Sequence, residues 1–148
     1  MIDPSDIPPV ADNELLARFI VKSNEKRLDG TVTPALFLPY KLVQLSVNRH
    51  REALTAETWT IGRRVAEVRQ KTLYGRADIR ASFCRIRPLD VVPKPILPHN
   101  PNHADIISFP APKDEQLSLA QKLAASIEGK WIPVPPEPDN PSDQKPTP

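Results

Sequence analysis

Residues 55–84, TAETWTIGRRVAEVRQKTLYGRADIRASFC, change their apolar period once, and that change decides the fold class. Ile61, Val65, Val68 and Thr72 recur at spacings of four, three and four while Arg63, Arg64, Glu67, Gln70 and Lys71 fall elsewhere, which predicts an amphipathic helix. Thr55 is placed to cap it and Glu57 sets a negative charge against the positive end of its dipole. Glu67 and Lys71 pair four apart, and Gly75 suits the left-handed residue that closes a helix. From Ala77 the period becomes two: Ala77, Ile79, Ala81 and Phe83 alternate with Asp78, Arg80, Ser82 and Cys84, a strand with a polar, partly basic outer face.

Working outward, Leu15 to Lys22 reads as an opening strand with Leu15, Ala17, Phe19 and Val21 on one side, and Asp29-Gly30 supplies the positive φ of a tight turn. Val43, Leu45 and Val47 alternate with Gln44, Ser46 and Asn48 in a second strand, after a loop anchored by Phe37 and Leu38. The alternation slips near Arg85 and Ile86, which predicts a bulge, after which Leu89, Val91 and Val92 continue the strand briefly. Ala104 to Phe109 is a fourth strand. Asp114 then caps a second helix whose face is Leu117, Ala120, Leu123, Ala124 and Ile127, ended by Gly129, with Trp131 and Ile132 folding back. The order β, β, α, β, β, α predicts an α+β fold, a small mainly antiparallel sheet with two helices packed on one face.

Prolines number 19 against 4 glycines in 148 residues, and they cluster at the ends and between residues 88 and 112, where they mark connections. They divide the chain into a flexible arm at 1–12, a single α+β domain at 13–132 and a disordered proline-rich tail at 133–148. The chain lacks a run of about eighteen apolar residues and begins with the acidic MIDPSDIPPV, so a cytoplasmic protein without membrane contact is expected. The lone Cys84 agrees with a reducing compartment and reads as a small half-buried hydrophobe.

Charge is unevenly spread. Residues 1–14 hold four acids and no base, while Arg51, Arg63, Arg64, Arg69, Lys71, Arg76, Arg80, Arg85 and Arg87 crowd the middle. That asymmetry suits a solvated face, or an anionic partner such as nucleic acid held by Arg63, Arg64, Arg76, Arg80, Arg85 and Arg87. Few aromatic residues are placed to stack on bases.

Two constellations carry chemistry. HNPNHADI sets His99 and His103 four apart beside Asn100, Asn102 and Asp105, but Pro101 forbids the helix that would align the imidazoles, so no metal and no cofactor is expected. SVNRHR, residues 46–51, offers a hydroxyl, an amide, an imidazole and two guanidinium groups at a strand end, suited to a phosphate. Ligand-binding candidates are therefore Ser46, Arg49, Asn100 and His103, and catalytic candidates are Arg49, His50 and His103 converging in one cleft. Glycine-rich phosphate loops, a serine elbow and paired carboxylates are absent from the sequence.

NELLARFIV, DGTVTPALF, LSVNRH, ADI with VVPKP, and NPNHADI together resemble a pattern found in small bacterial proteins of unassigned function: an LSV strand followed by an NPxHAxI element. The resemblance spans roughly residues 13–127 and rests most on Leu45-Ser46-Val47 and on Asn100-Pro101 with His103-Ala104 and Ile106. It implies a bacterial, cytosolic, stand-alone protein, in a defence or mobile-element setting, and it supplies no reaction. The function expected is a non-enzymatic module contacting another protein through its sheet face or proline-rich tail. The alternatives are a small enzyme or binding protein for a phosphate-containing or nucleotide ligand, and nucleic-acid binding through the basic middle.

Overall fold

The computed structural model describes residues 7–39, 43–51, 55–96 and 98–136. Over these the chain forms β1 (Leu15–Ile20), β2 (Leu45–Arg49), α1 (Thr55–Val68), β3 (Gly75–Arg80), α2 (Ala81–Arg85), β4 (Asp90–Pro93), β5 (His103–Ile107), α3 (Lys113–Ala124) and β6 (Ile132–Pro133). Short 3₁₀ turns lie at Ser23–Glu25 and Pro34–Phe37. The strands make one sheet in the order β4-β5-β2-β1-β3-β6, with every neighbouring pair antiparallel, so the fold is α+β. No helix among the described residues is long and apolar enough to cross a membrane.

The register sorts side chains into two unlike faces, because residues paired across an antiparallel ladder point the same way. Leu16 lies between Arg49 and Ile79, Leu45 faces Ile106 and Val47 faces Ala104, which builds an almost wholly apolar face. On it sit Leu36 and Phe37 of the second 3₁₀ turn and Ala120 and Leu123 of α3, all fully buried. Each such Leu, Ile or Phe contributes roughly 1.5–3 kcal/mol by leaving water. The opposite face carries Phe19 and Arg76, Ala17 between Asn48 and Asp78, Ser46 against Asp105, and Asn48 against His103.

Helix α1 covers that polar face. A Cβ added at Gly62 would stand 2.6 Å from Cε1 of Phe19, and the Arg76 guanidinium lies 4.7 Å from the Trp59 ring centroid. The two long helices thus flank the sheet on opposite sides, where the sequence reading put both on one. The reason is the stripe chosen for α1: Thr58, Trp59, Gly62 and Ala66 are buried, while Val68 is 77% exposed. A helix over a polar face needs close approach more than a wide apolar stripe, and Gly62 supplies it.

Other boundaries moved for local reasons. Helix α1 closes on Gln70 at φ 55°, with the Lys71 N–H bonded to Ala66 O, and Gly75 instead begins β3. Glycine is needed there because a Cβ would run into Ile132 O of β6. Asp114 lies inside the first turn of α3, whose N-cap is Pro112. β3 stops at Arg80 instead of running to Phe83: the Ala81 and Ser82 N–H groups bond to Glu14 O and Asp12 O, which starts α2 and buries Ala81 and Cys84 three apart. The short continuation read at Leu89, Val91 and Val92 becomes a separate edge strand, β4, on the far side of β5. The Asp29-Gly30 turn forms as read, with Gly30 at φ 94° and Asp29 Oδ1 accepting from the Thr31 N–H and hydroxyl.

The arm and tail are more attached than their composition predicts. Residues 1–6 and 137–148 lie outside the described residues, but Val10 is buried in the apolar core, the Val134 N–H donates to Tyr74 O and Arg63 donates to Pro135 O. Both edge strands are protected at their outward positions. On β4 the outward N–H of Val91 bonds to Asp90 Oδ1, Val91 O accepts from Arg85 Nη2, and Pro93 has no N–H. On β6 the outward position is Pro133.

Gly62→Ala tests the close approach. An exposed helix would gain about 1 kcal/mol from that change, but the new methyl meets the buried Phe19 ring, and overpacking costs about 1–3 kcal/mol. Urea unfolding should show a lower midpoint for Gly62→Ala; a higher one would mean α1 does not sit this close.

Candidate functional site

Asn48 organises the polar face. Its Nδ2 donates to Asn100 Oδ1 at 2.7 Å and its Oδ1 accepts from Asn100 Nδ2 at 3.2 Å, a reciprocal amide clasp between two buried residues. The clasp is set by register on one side and by a turn on the other. Asn48 is placed by β2 pairing with β5, and Asn100 by two backbone hydrogen bonds with Ile96. Clefts open on either side of it. One, of about 280 Å³, is lined by Glu57, Thr58 and Thr60 of α1 together with His99 and Asn102. The other, of about 340 Å³, runs between the C-terminal half of α1 and β2, with Phe19, Val21, Pro39 and Val65 as its apolar walls and Ser46, Asn100, His103, Gln44 and Arg69 as polar ones.

The second cleft exists because β1 and β2 part company. β1 keeps six paired positions with β3 but only two with β2, Leu16 with Arg49 and Ala17 with Asn48. Beyond them Arg18 takes over from the ladder, its Nε donating to Leu36 O and its Nη1 to Ser46 O, each at 2.9 Å. The Ser46 side chain is left exposed beside the gap.

His103 enters the cleft with its tautomer fixed. Nδ1 lies 3.0 Å from Lys94 O, and since a carbonyl only accepts, Nδ1 carries the proton in the neutral ring and Nε2 is the basic nitrogen. Asp105, 2% exposed, is balanced by Lys94 Nζ at 3.6 Å.

The structure therefore gathers Ser46, Asn100 and His103 around one cleft and takes Arg49 and His50 elsewhere. Arg49 points to the apolar side, 2% exposed, with Nε and Nη2 each 2.7 Å from a Glu14 oxygen, Nη1 donating to Pro8 O and Nη2 also to Pro9 O. Every guanidinium nitrogen is used and four of the five N–H donors are in these bonds, so the Arg49 fork holds the chain's own arm and is not presented to a phosphate. His50 follows Arg49 and so faces the other way, its Nε2 2.8 Å from Asp78 Oδ1, an oxygen that also accepts from Arg76 Nε at 3.2 Å. Arg76 Nη1 is buried and has no partner among the described residues. The single cleft holding Arg49, His50 and His103 is not formed.

The basic stripe is likewise spent inside the molecule. Arg76 pairs with Asp78; Arg80 with Glu128 and Asn13 O; Arg85 with Asp12, Asp90 and Val91 O; and Arg63 with Pro135 O. Arg87 buries its Nε without a partner, which leaves Arg64 as the exposed member of the set. Burial pushes the Cys84 thiol up to about 12, far from a nucleophile's range. His99 and His103 line different clefts, and among the described residues no three His, Cys, Asp or Glu side chains converge.

Sequence reasoning missed Arg18, Phe19, Val65 and Arg69 as cleft residues and noted Asn48 only as a strand-end amide. Asn48 carried a signal, a polar residue in phase with Ser46, but only the register, which sets it between Ala17 and His103, reveals its surroundings. Comparison with protein-family models, curated proteins and solved structures finds no match for this chain.

Two measurements test the polar anchors. Asn48→Ala and Asn100→Ala should each lower stability by about 1–3 kcal/mol by stranding a buried amide, and the double variant should cost clearly less than the sum; strict additivity would deny the clasp. For Glu14, burial raises the carboxyl, but the Arg49 hydrogen bond, the Ala11 N–H and the charges of Arg49 and Arg51 outweigh it and hold the pKa below the ordinary 4.5. A depressed folded pKa means that this stabilisation is complete above the unfolded value and is lost as pH falls through the folded one. Unfolding below pH 4.5 should be less steeply pH-dependent in Glu14→Gln than in the natural chain.

Proposed function

We propose that the protein is a binding domain for a small organic ligand, held in the cleft between α1, β2 and β5. The observation behind this reading is the meeting of Ser46 with Asn100 and His103, from two separate stretches of chain, around one concavity with apolar walls and a few convergent polar groups. Its volume of about 340 Å³ falls at the small end of the roughly 300–1,000 Å³ of ligand sites. The clasp and the Arg18 bridge preform the cleft, which lowers the ordering cost of binding.

Contact with another protein through the sheet has less support, since helices or turns cover both faces and, among the described residues, the outward positions of β4 and β6 are bonded within the chain or held by proline. Binding of nucleic acid by the arginine stripe has less support for a similar reason: most of its cations already hold carboxylates or carbonyls. Catalysis has no assembled nucleophile and base to work with among the described side chains.

The test is ¹H–¹⁵N spectroscopy of the full chain against a mixed library of acids, bases and neutral fragments. Binders should shift amides clustered at Ser46, Val65, Asn100 and His103, and Ser46→Phe, which fills the cleft from an exposed position, should abolish those shifts. Binders that move only residues elsewhere would end this reading.

A further inference from the structure

We infer that the cleft selects a monoanionic acid with a flat or branched apolar body and one hydrogen-bond donor, in the manner of an aryl carboxylate; this rests on the small-ligand reading above. Charge comes first. Among the described residues the lining contains two guanidinium groups, Arg18 and Arg69, and one imidazole, with no carboxylate to balance them. Arg18 is already bonded to Leu36 O and Ser46 O. Arg69 is exposed at the mouth, has no side-chain partner among the described residues, and sits one turn beyond Val65, which places a guanidinium at the end of an apolar wall. One planar fork matches one carboxylate through two parallel hydrogen bonds.

A phosphate dianion fits less well. It carries more charge to desolvate and needs donors on several oxygens, usually from glycine-rich backbone or several cations, and the lining offers no glycine. The apolar walls argue the same way: Phe19, Val21, Pro39 and Val65 give a hydrophobic body somewhere to go. His103 adds the last requirement. With Nδ1–H committed to Lys94 O, Nε2 can only accept in the neutral ring, so the complementary ligand brings an N–H or O–H of its own.

Indole-3-acetate meets all three conditions, and indole-3-acetamide, tryptamine and AMP each break one. Calorimetric titration of the full chain with these four, with amide shifts locating the site, should give indole-3-acetate at least about tenfold tighter than the acetamide and the amine, as expected for a charge-assisted fork. That preference should vanish in Arg69→Gln, a change at an exposed side chain that leaves the apolar walls intact. Acetamide or amine binding as tightly at the same amides overturns the acid selectivity while the ligand-binding reading stands. AMP binding tighter than indole-3-acetate overturns it in favour of a phosphate. Failure of all four to move Ser46, Val65 or His103 overturns the acid selectivity as well, and the mixed-library screen then decides whether the cleft binds anything.

Discussion

The Arg49 guanidinium lies at the margin of the apolar core with almost no access to water, and the N-terminal third of the fold is arranged to satisfy it. A buried charge without partners would be prohibitive, so Glu14 reaches it from the start of β1 and the carbonyls of Pro8 and Pro9 fold over it. Bringing residues 8–14 there carries Val10 into the core and lays Asp12 O and Glu14 O where they accept the first N–H groups of α2. The end of β3 is thus set by an ion pair on β2. Prolines at 8 and 9 help, since they give up no donor and leave their carbonyls to Arg49.

The sheet then divides its work between two faces. The apolar face, under α3 and the Pro34–Phe37 turn, holds the chain together by area. The polar face is held by specific pairs: the Asn48–Asn100 clasp, His50 and Arg76 on Asp78, and Arg76 against Trp59. Pairs of this kind add little net stability and are costly to leave half made, so they fix geometry more than they add to it. A helix laid over such a face touches it at Gly62 on Phe19 and at Trp59 on Arg76, and stands off where β1 and β2 separate. The cleft is the space left by that mismatch, kept open by Arg18 bridging the strands.

Fold class was legible because periodicity is local: the change of period at Ala77, the Asp29-Gly30 turn and the Leu45-Val47 alternation each needed only neighbouring residues, although Val43, read as part of that strand, lies before β2 at φ 51° and is exposed. Which face α1 would cover was not legible, since Ile61 and Val65 looked like a core stripe and the decisive contact, Gly62 on Phe19, joins residues 43 apart. β4 and β6 depended on pairing with distant partners, and α2 on backbone carbonyls of the arm. Of the candidate site residues, Ser46, Asn100 and His103 share the cleft. Arg49 was singled out for its fork geometry as a phosphate binder, but its fork is taken by the Glu14 carboxylate.

The two histidines show why residue type alone does not place a function. Each has one ring nitrogen committed, His50 Nε2 to Asp78 and His103 Nδ1 to Lys94 O. His50 is thereby built into a charged cluster, its partner carboxylate shared with Arg76, which in turn packs on Trp59 of α1. His103 is tied only to a backbone carbonyl, which orients the ring without charge, and its other nitrogen belongs to a ring on the wall of the cleft. A side chain held by neutral backbone and presented beside empty space is arranged for a visitor, whereas one held by ions is arranged for the fold. On that physical ground His103, and not His50, belongs to the proposed binding site, where Arg69 lines the same cleft and is the proposed source of charge.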